Sequence, residues 1–180
     1  MKTSFCLGLL VLSGLLFGCQ QREIHVYTAP KDVRALSQVS PSQTNSPQWT
    51  APSNWVSQPS TAFRVGSFTL PGSAGEADLA ISFLSGQAGG VLANINRWRG
   101  QLQLAPTDDA GLSQMTKRLT LKGESVLFVD LTAADVKSRM LVAIWEKPDG
   151  AWFFKLMGPT PTVLHEEKSF TQFLESVIWP

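Results

Sequence analysis

Apolar and polar positions alternate or recur in a way that divides the chain beyond about residue 62 into short strands and helices. Residues 63–70, Phe-Arg-Val-Gly-Ser-Phe-Thr-Leu, are rich in aromatic and β-branched side chains and stop at Pro71-Gly72, which predicts a strand ending in a turn. Residues 78–84, Asp-Leu-Ala-Ile-Ser-Phe-Leu, predict a second strand able to pair antiparallel with the first. The Gly-rich stretch 85–90 breaks this pattern. Val91, Leu92, Ile95, Trp98 and Leu102 then recur at helical spacing, which predicts a helix over about 90–102. Pro106-Thr107-Asp108-Asp109 offers N-capping side chains to a short helix over 110–115, whose acidic opening suits the helix dipole. Three or four strands follow, over 117–121, 125–131, 139–146 and 152–157, and Lys147-Pro148-Asp149-Gly150 reads as the hairpin turn joining the last two. After Gly158-Pro159-Thr160-Pro161, the residues Val163, Leu164, Phe170, Phe173, Leu174, Val177 and Ile178 mark the apolar face of a closing helix. Strands adjacent in sequence and joined by short turns imply an α+β fold. The expected domain, 53–180, has a largely antiparallel sheet of about five to six strands packed with two main helices.

Ahead of this domain the pattern fades. Residues 20–61 have no sustained periodicity and are rich in Ser, Pro, Gln and Thr, most densely over 40–48, so a lipidated N-terminus and flexible tether is expected over 19–52. A flexible coil of roughly 30 residues reaches about 30 Å. Trp49 and Trp55 interrupt this composition; either one or both pack where tether meets domain, or they are exposed linker aromatics. At the start of the chain, the apolar run 5–17 follows Lys2 and has the length of a signal-peptide core, too short to span a bilayer as a stable helix. It ends in Leu16-Phe17-Gly18-Cys19, which resembles the type II signal peptide of bacterial lipoproteins over its first 19 residues. The resemblance implies removal of residues 1–18, acylation of Cys19, and anchoring on a membrane surface without spanning it. Gln20 stands where an Asp often signals inner-membrane retention, which favours the outer membrane of a two-membrane envelope, the domain facing the periplasm or exterior.

Two further stretches carry a second resemblance: Gly89-Gly90-Val91-Leu92-Ala93-Asn94-Ile95-Asn96-Arg97-Trp98 and Trp152-Phe153-Phe154-Lys155-Leu156-Met157-Gly158-Pro159. They resemble recurring blocks of a little-characterised family of bacterial exported proteins and lipoproteins, over most of residues 62–180, and this resemblance implies no settled activity. The order of elements is also similar, more distantly, to the Mog1/PsbP-like α/β sandwich. That is fold analogy, which does not carry function.

Composition narrows the chemistry. The full chain has 15 basic and 14 acidic residues, and removal of residues 1–18 takes away only Lys2, leaving a neutral mature chain. Such a chain lacks the basic face that nucleic acid demands, so no nucleic-acid partner is expected. Cys6 would leave with the signal peptide and Cys19 would be consumed by lipid, so the exported domain has no thiol for a disulfide, a zinc site or a nucleophile. The full chain carries six Trp and ten Phe, eight of the Phe beyond residue 18, and these supply the packing instead.

No motif specifies catalysis. The turn Gly86-Gln87-Ala88-Gly89-Gly90 opens a helix, where backbone N–H groups can hold an anion, but it lacks the Lys-Ser/Thr of a phosphate loop and the spacing of a dinucleotide fingerprint. The competing account is a tight strand-to-helix turn that needs Gly for its backbone angles. Asn94, Asn96, Arg97, Trp98 and Arg99 form the densest polar and aromatic cluster; Trp98 would anchor the helix while Arg97 or Arg99 reaches a carboxylate of a ligand, a partner or the domain itself. Gly89, Gly90, Asn94, Arg97, Trp98 and Arg99 are therefore the candidate ligand- or partner-binding residues. His165, Glu166 and Glu167 splay around a helix and have no second His at ligating spacing, so neither metal nor cofactor is expected. Asp130 and Asp135 would have to meet Asp108 or Asp109 to form a carboxylate pair, whereas Asp beside strands commonly caps turns. Lys155 among Trp152, Phe153 and Phe154 marks either a partner-binding strand face or a snorkelling lysine on a buried sheet. The expected role is a lipid-anchored, non-enzymatic envelope module that binds a protein partner or assists assembly. A small-ligand or anion receptor is the alternative, and an enzyme with a dispersed site comes third.

Overall fold

Met140 to Trp145 form an unbroken apolar run, and all six are buried because the strand they build is covered on both faces. In the computed structural model, which describes residues 46–180 other than Ala88, this strand is the spine of a seven-stranded antiparallel sheet. The signal segment, Cys19 and the tether as far as residue 45 lie outside the described residues. The elements run β1 (Val56–Ser57), β2 (Gly66–Leu70), β3 (Ala77–Ser85), α1 (Val91–Gln101), α2 (Asp109–Met115), β4 (Thr116–Leu121), β5 (Glu124–Thr132), β6 (Ser138–Lys147), β7 (Gly150–Pro159) and α3 (Thr160–Ser176). Across the sheet the order is β1-β2-β3-β7-β6-β5-β4. Two meanders thus meet where β3 pairs with β7, from Asp78↔Met157 to Ser85↔Gly150.

Each face has its own core. On one, α3 buries Val163, Phe170, Phe173 and Leu174 against Leu79, Ile81, Leu141, Phe154 and Leu156. On the other, α1 buries Ile95 and Trp98, followed by Leu102, against Val129, Met140, Val142, Ile144 and Phe153. Along β7 the neighbours Trp152, Phe153 and Phe154 therefore serve alternate cores, as the two-residue pleat requires. Helix α3 starts with Pro161 in its first turn, where the missing N–H costs nothing. The hairpins are tight. Lys122 and Gly123, both at positive φ, join β4 to β5 in the manner of a type I′ turn, and Pro148-Asp149 joins β6 to β7.

The fold is α+β and largely antiparallel, as expected, with seven strands where five to six were predicted. The extra strand, β1, has two residues, too few to show a period. It pairs Val56 with Thr69 and Ser57 with Phe68. Strand β2 begins at Gly66 and not at residue 63, because Thr61 and Arg64 bond to each other in both directions at 3.0 and 3.3 Å and fold Ala62-Phe63 into a tight turn. Phe63, at the tip of that turn, is 84% exposed.

Both early tryptophans pack on the domain. The Trp49 ring lies 6.3 Å from Phe154 and from Phe173, and the Trp55 ring lies 5.2 Å from Phe173 and 6.0 Å from Phe68. Gly66 makes room for Trp49: a Cβ there would sit 2.6 Å from the indole Cζ2. Gln48 and Ile178 exchange backbone bonds at 2.9 and 2.8 Å, so this segment straps the end of α3. Among the described residues no helix is long and apolar enough to cross a membrane.

Candidate functional site

Helix α1 does not cover its whole face of the sheet. Its buried side chains rest on β5, β6 and β7, with only Leu84 contributed by β3. The placement follows from how the helix is fastened. Gly89 and Gly90 both take positive φ, 75° and 77°, and turn the chain from β3 into α1, a conformation that glycine adopts without steric cost. Asn94, buried, donates from Nδ2 to the Gly90 carbonyl at 2.8 Å and ties the first turn down. At the far end Asn96 and Thr107 exchange bonds at 3.0 and 2.7 Å, and Arg99 Nε donates to the Ala105 carbonyl at 2.7 Å.

Beside α1 the uncovered strip of sheet becomes a groove of about 180 Å³. Its floor is Ala80, Ser82 and Leu84 of β3 with Phe153 and Lys155 of β7; Ala80 is paired with Lys155, and Ser82 with Phe153. Arg97 and Trp98 of α1 form one wall, and Phe63 and Arg64 of the turn before β2 form the other. Three cations thus line one small concavity. No acidic residue lines it. Arg64 is held by Asp78, which accepts from Nη1 at 2.7 Å, and by Ser67 Oγ at 3.0 Å. Arg97 donates from Nη2 to Asn94 Oδ1 at 2.6 Å. The Lys155 ammonium lies 3.4 Å from Gln101 Oε1.

Lys155 is the strained member. Burial pushes its ammonium below the ordinary lysine value and the positive charge of Arg64 pushes the same way; Asp78 pulls against them, and Arg97 adds the smallest push downward.

Of the sequence-derived candidates, Arg97 and Trp98 line the groove, while Asn94 supports Arg97 from the side. Arg99 turns away to fasten the α1–α2 connection and approaches Met115 Sδ at 3.7 Å. Gly89 and Gly90 lie exposed at the start of α1 and do not line the groove. Arg64 and Phe63 went unnoticed in sequence because they read as the beginning of a strand; the tight turn is what aims them. Cys19 lies outside the described residues.

The other titratable clusters are accounted for by structure. Asp130 accepts from Arg139 Nε at 2.8 Å and Nη2 at 2.5 Å, and Glu167 stands 3.1 Å from Arg139 Nη1. The Asp130 hydrogen bond raises the Arg139 guanidinium further above its ordinary value, against the opposing effect of burial. Glu166, buried, accepts from Trp55 Nε1 at 2.9 Å and from Asn54 Nδ2 at 3.4 Å. Asp108 caps α2 through the Gly111 N–H, and Asp135 accepts from the Lys137 N–H. Among the described residues no group of three or more His, Cys, Asp or Glu is placed to hold a metal ion.

No protein-family model matches the chain, and no curated protein matches it significantly in sequence. Several solved structures are distantly similar. A Pseudomonas aeruginosa protein of unknown function, PA94, shares 14% identity, with 76% of this chain and 84% of that chain covered and a TM-score of 0.39. A Bacteroides thetaiotaomicron protein shares 11% identity over 74% of this chain and 45% of its own, with a TM-score of 0.43. LpqN, involved in cell envelope biogenesis of Mycobacterium tuberculosis, shares 14% identity over 77% of this chain and 87% of its own, with a TM-score of 0.45. Likeness at this distance assigns no function.

Proposed function

We propose that this protein is a lipid-anchored, non-enzymatic binding module of the bacterial cell envelope, held to a membrane through acylated Cys19 and using the groove beside α1 as its binding site. The observation that carries the reading is the convergence of Arg64, Arg97 and Lys155 on one half-apolar concavity. Partly burying a lysine beside two arginines costs some stability, and perturbed charges of this kind cluster at sites that meet an external anion. The reading of binding over turnover is supported by the lining: Ser82 is its only hydroxyl, no histidine lines it, and the nearby carboxylate, Asp78, is committed to Arg64. The groove favours recognition of an anionic group, whether on a small ligand or on an envelope protein partner.

Two experiments test this. Labelled palmitate should be incorporated by the parent and not by a Cys19→Ser variant, which should leave the membrane fraction. A photo-reactive phenylalanine analogue at Phe63, already solvent-exposed, should trap whatever occupies the groove in intact cells. Soluble, unlabelled parent protein would overturn the anchor. Absence of any trapped protein or small molecule, together with no bound species in native mass spectrometry, would overturn the binding role.

A further inference from the structure

The shape and lining of the groove narrow its occupant further, on the premise that the groove is the binding site. At about 180 Å³ it falls below the roughly 300–1,000 Å³ of pockets that enclose drug-sized ligands, so it suits a molecule near the size of one amino-acid side chain. The charges require an anion. A guanidinium carries five donors in a planar fork, so Arg64 and Arg97 each keep donors for a ligand after the bonds to Asp78, Ser67 and Asn94. Lys155 supplies a point charge from the floor.

The remaining lining is apolar. Leu84 and Phe153 form part of the floor, and Phe63, 84% exposed as a residue, stands at the rim. The turn that presents Phe63 is closed by two backbone bonds, which fix the position of its backbone at the rim. A large exposed aromatic at the edge of a concavity gains by being covered, because apolar area is removed from water. A free phosphate offers nothing to cover it. Tetrahedral oxyanions are also commonly cradled by backbone N–H groups, and here the β3 and β7 backbones are engaged with each other through paired residues from Asp78↔Met157 to Ser85↔Gly150. The donors are therefore side chains alone, two guanidinium forks and an ammonium, which can hold a carboxylate.

We infer that the groove binds a small amphiphilic monocarboxylate, its carboxylate between Arg97, Lys155 and Arg64 and its aromatic or branched aliphatic body between Phe63 and the Leu84–Phe153 floor. The test is equilibrium dialysis of labelled phenylacetate against the protein purified from cells in mild detergent, with acetate, 2-phenylethylamine and inorganic phosphate as comparison probes. Saturable one-site binding of phenylacetate is expected, with a dissociation constant of about a millimolar or somewhat tighter given the ligand's size. Arg97→Gln, on an exposed helix position, and Lys155→Met should each weaken it at least tenfold. Phe63→Ala should weaken phenylacetate about fivefold and leave acetate unchanged, while 2-phenylethylamine should not bind. Unsaturable phenylacetate binding, equal binding of 2-phenylethylamine, or insensitivity to a folded Arg97→Gln variant would overturn the inference. Phosphate binding tighter than phenylacetate would also overturn it, as a different ligand class. If phenylacetate fails while the Phe63 photo-probe still traps a molecule, the binding-module reading survives and this assignment alone falls.

Discussion

Replacing Arg139 by methionine separates two accounts of how α3 is held to the sheet. Arg139 is 9% exposed and lies between Asp130 on β5 and Glu167 on α3, with contacts of 2.8, 2.5 and 3.1 Å. Methionine conserves much of the stem but leaves two carboxylates facing a position that has lost its charge. Breaking a buried pair by deleting one partner costs about 3–5 kcal/mol. The Asp130 and Glu167 side chains are 32% and 42% exposed, so water can rehydrate them and the cost falls to about 2 kcal/mol. With Asp130→Leu and Glu167→Leu added, no charge is left unpaired, and stability should return to within about 1 kcal/mol of the parent. Urea unfolding reads both, as a change in midpoint at unchanged slope. If Arg139→Met alone shifts the midpoint by no more than an ordinary surface substitution, the cluster contributes nothing. If the triple variant is as unstable as the single one, the guanidinium matters through packing, and the electrostatic reasoning fails.

Three other outcomes follow from particular contacts. Lys155→Met should raise the urea midpoint at pH 7, by less than about 1 kcal/mol for a half-exposed group. Its folded-state affinity for a proton is lowered, so between the folded value and 10.5 the unfolded chain binds more protons and parent stability rises with pH; the advantage of Lys155→Met should be full below that window and shrink across it, and a gap independent of pH would contradict the assignment. Gly66→Ala should cost about 1–3 kcal/mol, because the new Cβ would lie 2.6 Å from Trp49 Cζ2. In a Trp49→Ala background the same change should be nearly neutral, which a double-mutant cycle measures. Glu166→Leu should cost about 1–3 kcal/mol by leaving the buried Trp55 Nε1 without its acceptor at 2.9 Å, and Trp55→Phe in the same chain should recover most of it, as thermal unfolding would reveal.

The elements with sustained periods were legible in the sequence. The β6–β7 hairpin followed from Pro148-Asp149 between two apolar runs, and α3 from Val163, Phe170, Phe173 and Leu174 at helical spacing, although Leu164 and Ile178, read as part of that face, are exposed. What escaped was decided by partners far along the chain. Two-residue β1 exists because Thr69 and Phe68 stand opposite, and the turn at residues 61–64 takes Phe63 and Arg64 out of what reads locally as a strand. The site was half legible for the same reason. Arg97 and Trp98 stand out on one helix, but Arg64 and Lys155 join them only through the β2–β3 and β3–β7 pairings, and no local pattern encodes that meeting. Arg99 shows the converse: adjacent to Trp98 in sequence, it points toward the α1–α2 connection.

The groove is a consequence of where α1 ends up, and several otherwise puzzling polar residues serve that placement. A helix centred over a seven-stranded sheet would cover β3 and leave no concavity. Instead the positive-φ pair Gly89-Gly90 sets the entry of α1, Asn94 pins its first turn, and the Asn96–Thr107 exchange fixes its exit beside β5 to β7. The strip of β3 left open carries Ala80 and Ser82, which are small, opposite Lys155, which is long. Apolar side chains of larger size at 80 and 82 would fill the groove and bury the lysine outright. Small residues on β3, a lysine on β7, an arginine on each wall and an aromatic held at the rim are each tolerable alone as surface variation. Together they place a partly desolvated cation beside two like charges and an uncovered ring in one groove, the combination that the proposed amphiphilic anion would neutralise and cover.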